Sequence, residues 1–185
     1  MSEPQSALPG RRAAGFATVA EAGLQGMITL RGDLASPVLA AAVQQATGCA
    51  MPGPRRIVQA GDRAAAWMSP DELLLILPHA DAPGAATALQ AALAGEHALV
   101  AEVSDARAMF AVTGDKAVQA LAKLFPVDFA AMEPDEIRRS RMAQVAAALW
   151  QAAPGDWRIV CFRSVAAYAF GLLDNAVRPG SELTA

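Results

Sequence analysis

From Trp67 onward, two strand-like apolar patterns followed by one helical pattern occur three times in succession. The strand-like patterns are short apolar runs, and the helical patterns begin at turn-forming residues. A helix in such an order buries its apolar stripe against one face of a sheet. The sequence therefore predicts a layered α+β fold whose units resemble ferredoxin-like split βαβ arrangements, with a mostly antiparallel sheet.

Before Trp67, the sequence predicts one further strand and one further helix. Residues 19–30 have a strand pattern, and Ser36, Pro37 and Gly48 are residue types that begin and end a helix. The other predicted helices cover residues 82–94, 115–125 and 164–175, and the other predicted strands cover 57–59, a segment ending at 67, 73–77, 98–103, 108–112, 143–150 and 157–162.

Prolines, glycines and few large apolar residues mark both ends of the sequence as tails. Residues 1–16 are predicted to be a flexible N-terminal tail, and residues 179–185 a C-terminal tail. Between them we expect a single α+β unit over residues 17–178. Two sub-units, at about 17–60 and 61–178, are the alternative.

Charge and hydropathy exclude several classes of partner. The 185 residues include 15 Lys and Arg against 18 Asp and Glu, which gives a net charge of −3. Such a chain has no extended positive field for a phosphate backbone, so we expect no nucleic-acid partner. No apolar run approaches the roughly 20 residues of a membrane helix, and no signal-peptide core is present. We therefore expect no membrane association and a cytoplasmic location.

The residues that most often carry chemistry are few and scattered. Cys49 and Cys161 are far apart and belong to no Cys/His cluster, which indicates neither a disulfide framework nor a metal site. Cys161 lies in an apolar strand pattern, where burial keeps a thiol inert. His79 and His97 have no nucleophile beside them. The prediction is a chain with no catalytic residue, no bound metal and no cofactor of its own.

One basic cluster stands out, at Arg138, Arg139 and Arg141. The sequence predicts a turn there. Charge-assisted hydrogen bonds would let the cluster bind a folate tail or an acidic loop of a partner, and a solvated turn is the alternative.

Five residues are candidates for a groove or an interface. Trp67 and Trp150 lie at predicted strand ends, where a large amphipathic ring seals a core or anchors a partner. Asp105 and Arg107 flank a tight turn between two strands, and Arg163 meets the start of the last helix. A local cap or ion pair is the alternative for each.

Residues 100–129 resemble a motif of the glycine-cleavage T-protein superfamily, whose members include folate-binding domains. The matching positions are Val103-Ser104-Asp105 at a strand end, Val112-Thr113-Gly114 before a helix, and Val127-Asp128 after it. With WMSPDELLLILP before this segment and WRIVCFRSVAAYAFGLLDNA after it, residues 19–178 resemble the γ subunits of heterotetrameric sarcosine oxidases.

This resemblance implies a structural subunit of a bacterial flavoenzyme that oxidatively demethylates sarcosine to glycine and passes the one-carbon unit to tetrahydrofolate. The implied partners are the α, β and δ subunits. FAD, FMN, NAD, tetrahydrofolate and zinc are then expected on those subunits or in the complex. Residues 1–16 and the strand ends that carry Trp67 and Trp150 are expected to become buried only on assembly, and the isolated chain is expected to be able to self-associate. The alternative is a free-standing folate-binding or aminomethyl-transfer protein.

One departure from the superfamily bears on catalysis. Folate-binding members place a catalytic acid at the start of the strand that follows the long loop, and residues 141–144 align there without a carboxylate. Without an acid to stabilise the developing cation, aminomethyl transfer by this chain is not expected. Asp135 or Glu136 entering the groove is the alternative.

Overall fold

The computed structural model describes residues 3–183; residues 1, 2, 184 and 185, the outermost parts of the two predicted tails, lie outside the described residues. The strands are β1 (Arg12–Ala14), β2 (Thr18–Glu21), β3 (Gly26–Arg31), β4 (Ile57–Ala60), β5 (Arg63–Ser69), β6 (Glu72–Leu77), β7 (Leu99–Glu102), β8 (Arg107–Thr113), β9 (Ile137–Met142), β10 (Val145–Ala153) and β11 (Asp156–Phe162). The helices are α1 (Pro37–Thr47), α2 (Ala82–Ala92), α3 (Ala117–Ala122) and α4 (Ala166–Ala176).

The chain folds as two compact units, whose limits differ from the predicted ones. The middle unit is Leu24–Ser104, and the terminal unit combines the chain up to Gly23 with the chain from Asp105 onward. The residues before Gly23 join the C-terminal half because β2 pairs with β8, with Thr18 opposite Thr113.

The middle unit is a split βαβ arrangement with one extra strand. Its sheet has the order β4-β5-β6-β3-β7, and all its strand pairs are antiparallel. The side chains of Ile28, Leu75 and Leu89 are buried together in the core that α1 and α2 form with the sheet. The predicted α+β, ferredoxin-like class is confirmed, because β3, β5, β6 and β7 alternate with α1 and α2 in the βαββαβ order of that fold.

Helix α1 begins and ends where the sequence predicts. The Ser36 hydroxyl accepts a hydrogen bond from the Leu39 N–H at 3.3 Å, and Pro37 occupies the first helical position. Gly48 ends the helix with φ 73°, a left-handed conformation that glycine adopts without steric cost.

The terminal unit has the same arrangement, but the order of its elements along the chain is circularly permuted. Its sheet is β1-β2-β8-β11-β10-β9, and every pair is antiparallel. The last strand of the βαββαβ order is β7 in the middle unit. In the terminal unit this place is taken by β2, which comes from the N-terminal part of the chain. Phe110, Leu149 and Phe170 lie in the core between this sheet and its helices.

The two units therefore form an internal repeat. In each, a strand is followed by a Gly-Asp pair, at residues 32–33 after β3 and 114–115 after β8, and then by a helix. Each has a hairpin with a two-residue turn whose first residue has positive φ, Gly61 at 63° and Ala143 at 50°. Each ends its second hairpin with a 3-10 turn and an 11-residue helix, α2 or α4.

Two local predictions were wrong. Part of the predicted N-terminal tail is strand β1, and Leu8 packs against the core of the terminal unit. The predicted basic turn is strand β9, because the chain reverses two residues later, at Ala143 and Gln144. Local composition does not predict strands β1 and β9, because pairing with a neighbouring strand outweighs the local preference for a turn or a tail.

Candidate functional site

Three of the five candidate residues lie at one end of the six-stranded sheet, where β8 begins and β11 ends. Arg107 is the first residue of β8 and lies opposite Phe162, the last residue of β11. The Arg107 guanidinium lies 4.2 Å from the centre of the Phe162 ring, a cation–π contact. Phe162 keeps 46% of its surface exposed. We refer to Asp105, Arg107, Phe162 and Arg163 as the β8–β11 end.

The turns on either side complete this end of the sheet. Asp105 is exposed in the 3-10 turn Ser104–Ala106, directly before β8. Arg163 opens the 3-10 turn that follows β11, and its guanidinium donates hydrogen bonds to the carbonyls of Gln5 and Ser6 at 2.9 and 3.1 Å. An exposed aromatic ring next to arginine is a composition enriched in protein interfaces.

We expect Arg163→Ala to loosen residues 3–8 from the terminal unit. Each lost hydrogen bond to a backbone carbonyl removes about 1 kcal/mol of local stability. Hydrogen–deuterium exchange in a peptide covering residues 3–10 should accelerate at least about tenfold. Arg12→Ala removes an exposed arginine of the adjacent strand β1 and should leave that exchange unchanged. Unchanged exchange in Arg163→Ala would mean that other contacts anchor the segment.

The two tryptophan candidates lie on other strands, β10 and β5. Trp150 is in β10, only 3% exposed, so its side chain is already buried without a partner subunit. Trp67 lies in β5 of the middle unit, partly buried against that unit's core. The expectation that both rings are buried only on assembly is wrong for Trp150.

Cys161 lies in the core of the terminal unit, on β11 next to the β8–β11 end. Burial raises the pKa of the Cys161 thiol to about 11, and the nearby Arg107 charge acts in the opposite direction. The thiol is therefore protonated at neutral pH and is a poor nucleophile.

We expect Cys161 to be unreactive toward Ellman's reagent at pH 8 in folded Cys49→Ala protein, and to react fully once urea unfolds the chain. The stability should also depend on pH in a defined direction. In the unfolded chain the thiol ionises around its usual pKa of 9.0, whereas the folded thiol keeps its proton until about 11. The contribution of Cys161 to folding is therefore complete below pH 9 and is lost as the pH rises toward 11. Cys161→Ala should lack this component, and fast labelling of the folded protein would contradict the assignment.

Glu136, one of the two alternative acids, directly precedes β9 and is 3% exposed. Its Oε1 lies 3.0 Å from an Arg138 guanidinium nitrogen, and its Oε2 accepts a hydrogen bond from the Glu133 N–H. Residues 141–144, which align with the position of the acid, span the end of β9 and the turn to β10 and include no carboxylate. Glu136 is held in an ion pair within its own loop and strand.

The middle unit contains a groove that the sequence did not reveal. It encloses about 480 Å³ between α1 and α2, and alanines such as Ala42, Ala85 and Ala88 line it. Its charged lining residues are Arg63 and Asp81, which pair at 2.6 Å and neutralise each other. The groove is therefore apolar and without net charge.

Among residues 3–183, no group of three or more His, Cys, Asp or Glu side chains is placed to hold a metal ion. None of the described helices combines the length and apolar character needed to cross a membrane.

The chain is similar to known proteins in sequence and in structure. Residues 31–178 match the family described as "Sarcosine oxidase, gamma subunit family". Heterotetrameric sarcosine oxidase from Corynebacterium sp. U-96, in complex with pyrrole 2-carboxylate, has a similar structure with a TM-score of 0.80 and 26% identity, covering 90% of this chain and 87% of that one. Aminomethyltransferase T of the glycine cleavage system from Bartonella henselae has a TM-score of 0.66 and 13% identity, covering 90% of this chain and 48% of that one, and this likeness concerns the fold alone. No curated protein sequence matches the chain.

Proposed function

Because this chain belongs to the sarcosine oxidase γ subunit family, we propose that it is an assembly subunit of the oxidase with no catalytic residue of its own. Membership carries the proposal, since the match covers residues 31–178 in one continuous segment. The chain takes part in a multi-subunit oxidase as its γ subunit. The partners we propose are the α, β and δ subunits, in a cytoplasmic complex that converts sarcosine to glycine and passes the one-carbon unit to tetrahydrofolate.

The chemistry of the chain supports a non-catalytic role. Cys161 is protonated at neutral pH, and Glu136 is paired with Arg138. The Cys161 thiol is therefore a poor nucleophile, and the Glu136 carboxylate is buried away from a substrate.

The cofactors are proposed to reside on the other subunits. Dinucleotide-binding folds use a parallel sheet with a glycine-rich turn at a helix start, whereas every strand pair described in both units is antiparallel. The described residues also do not fit a zinc site. FAD, FMN, NAD, tetrahydrofolate and zinc accordingly have no proposed ligands on this chain.

The β8–β11 end is the proposed contact surface for a partner. Phe162 is exposed on one side and stacked under Arg107 on the other, and interface hot spots are enriched in arginine and large aromatic side chains. Asp105 and Arg163 flank this pair. Trp67, which is partly buried, remains a proposed interface residue of the middle unit.

A free-standing folate-binding or aminomethyl-transfer protein is not favoured. The likeness to aminomethyltransferase T is at 13% identity and concerns the fold, whereas the family match and the 26% identical oxidase structure both concern sarcosine oxidase.

Co-expression with the neighbouring oxidase genes tests the proposal. We expect this chain to co-elute with the other subunits on size exclusion, and sarcosine-dependent peroxide formation to fall when it is omitted. Absence of co-elution, or full activity without this chain, would contradict an assembly role. Tetrahydrofolate retained by the isolated chain would favour the alternative.

A further inference from the structure

Strand β9 combines an open sheet edge with an unusual concentration of positive charge. It is the last strand of the six-stranded sheet, and in the described chain it pairs with β10 alone. Its six residues, IRRSRM, include three arginines. An edge strand with open backbone groups is a natural place for another strand to add.

The register identifies which residues face outward along this edge. Met142 pairs with Val145 across a two-residue turn, and the pairing continues without a shift to Ile137 opposite Trp150. Residues that flank a two-residue turn form a hydrogen-bonded pair, and the backbone groups of alternate residues then point away from the partner strand. In β9 the outward positions therefore include Arg139 and Arg141.

The arginines of β9 divide into two sets by face. Arg138 shares a face with Met142, a core residue, and its charge is paired with the buried Glu136. Arg139 and Arg141 lie on the opposite face, both exposed, and the residues across from them on β10 are Ala148 and Ala146. Strand β10 therefore supplies no carboxylate to either of them.

Arg139 already takes part in an interaction within the chain, so the open charge on this face is that of Arg141. The Arg141 guanidinium forms no hydrogen bond or ion pair with any residue in the described range 3–183. The chain as a whole has a net charge of −3, so a local positive strip is not a consequence of general basicity.

The internal repeat supplies a comparison within the same chain. The strand equivalent to β9 in the middle unit is β4, which is also an edge strand preceding a two-residue turn. Its sequence is IVQA, without a charge. The same position in the fold is thus built without arginine, so the fold does not require the arginines of β9.

We propose that the outer edge of β9 is a docking site for an acidic, extended segment of another oxidase subunit. The segment adds as a strand beside β9, where its backbone pairs with the outward groups at residues 139 and 141. Its carboxylates pair with Arg139 and Arg141. This inference rests on the proposed assembly function and names the surface and the chemistry of one partner contact.

The test uses the co-expressed oxidase complex. We expect Arg139→Glu/Arg141→Glu to weaken retention of this chain in the complex at least about tenfold, and Arg139→Lys/Arg141→Lys to preserve most of it. Arg12→Glu/Arg178→Glu makes the same change in net charge at exposed arginines away from β9 and should leave retention unchanged. A photo-crosslinking residue at Gln144, beside β9, should label an acidic segment of another subunit.

The outcomes separate this inference from the proposed function. Wild-type assembly with equal retention of all variants would overturn the β9 site and leave the assembly role intact, as would a crosslink to a segment without acidic residues. Failure of the wild-type chain to assemble would overturn both. If the double Glu variant does not fold, Arg139→Gln/Arg141→Gln takes its place. This variant should be retained more weakly than wild type. Its retention should also fall less steeply than that of wild type as the salt concentration rises from about 0.05 to 0.5 M.

Discussion

Phe110→Ala is expected to lower the free energy of unfolding by about 4 kcal/mol. Phe110 lies in the middle of β8, fully buried, with its ring centre 6.2 Å from that of Phe170 on α4. Truncation removes the contact between the sheet and this helix and leaves a cavity that a close-packed core cannot fill. Urea unfolding followed by tryptophan fluorescence measures the loss.

Phe162→Ala is the matched control, since it makes the same substitution in the adjacent strand of the same sheet. Phe162 is 46% exposed, so we expect a cost below about 1 kcal/mol in the isolated chain. In the co-expressed complex we expect Phe162→Ala to have the larger effect of the two variants, weakening assembly about tenfold. Equal loss of stability in the two variants would contradict the assignment of Phe110 to the core and Phe162 to a surface.

Gly26→Ala is expected to destabilise the chain by about 3 kcal/mol, although it adds a single methyl group. Gly26 begins β3, and a Cβ there would lie 2.7 Å from the Pro78 carbonyl oxygen and 2.8 Å from that of Leu77. Both atoms belong to the backbone, so β3 must move relative to the end of β6 to admit the methyl group. Urea unfolding with Trp67 as the local fluorophore reports the change in the middle unit.

Gly171→Ala is the control for glycine replacement in general. Gly171 lies inside α4, and a Cβ there would meet no atom within 4 Å. Alanine should therefore stabilise the helix by about 0.5–1 kcal/mol, because it loses less backbone entropy on folding. A Gly26→Ala protein as stable as wild type would contradict the close approach of the two carbonyls.

The elements with strong local signals were predicted well. Helix α1 has a serine cap, a proline at its first position and a glycine end, all of which act within the helix itself. Residues 73–77 of strand β6 are a continuous apolar run whose burial on both faces follows from composition. Such features depend on neighbours in sequence, so a single sequence reveals them.

The candidate site was predicted less completely. Asp105, Arg107 and Arg163 were identified because each flanks a turn, but Phe162 was missed, since its exposure depends on where β11 ends. Glu136 remained an alternative because the sequence predicts a turn over residues 138–141, where the structure has strand β9. The pairing of β9 with β10 defines this strand.

By itself, the sequence determined the α+β class and the γ-subunit resemblance, because periodic burial, caps and ordered motifs are local properties of the chain. Only the tertiary structure decided that residues before Gly23 complete the C-terminal sheet, that the two units repeat one topology, and that the arginines of β9 lie on an open edge. The physical reason is the same in each case. Strand pairing joins residues far apart in the chain, and which strands become neighbours is set by burial of the whole sheet rather than by the residues of any one strand.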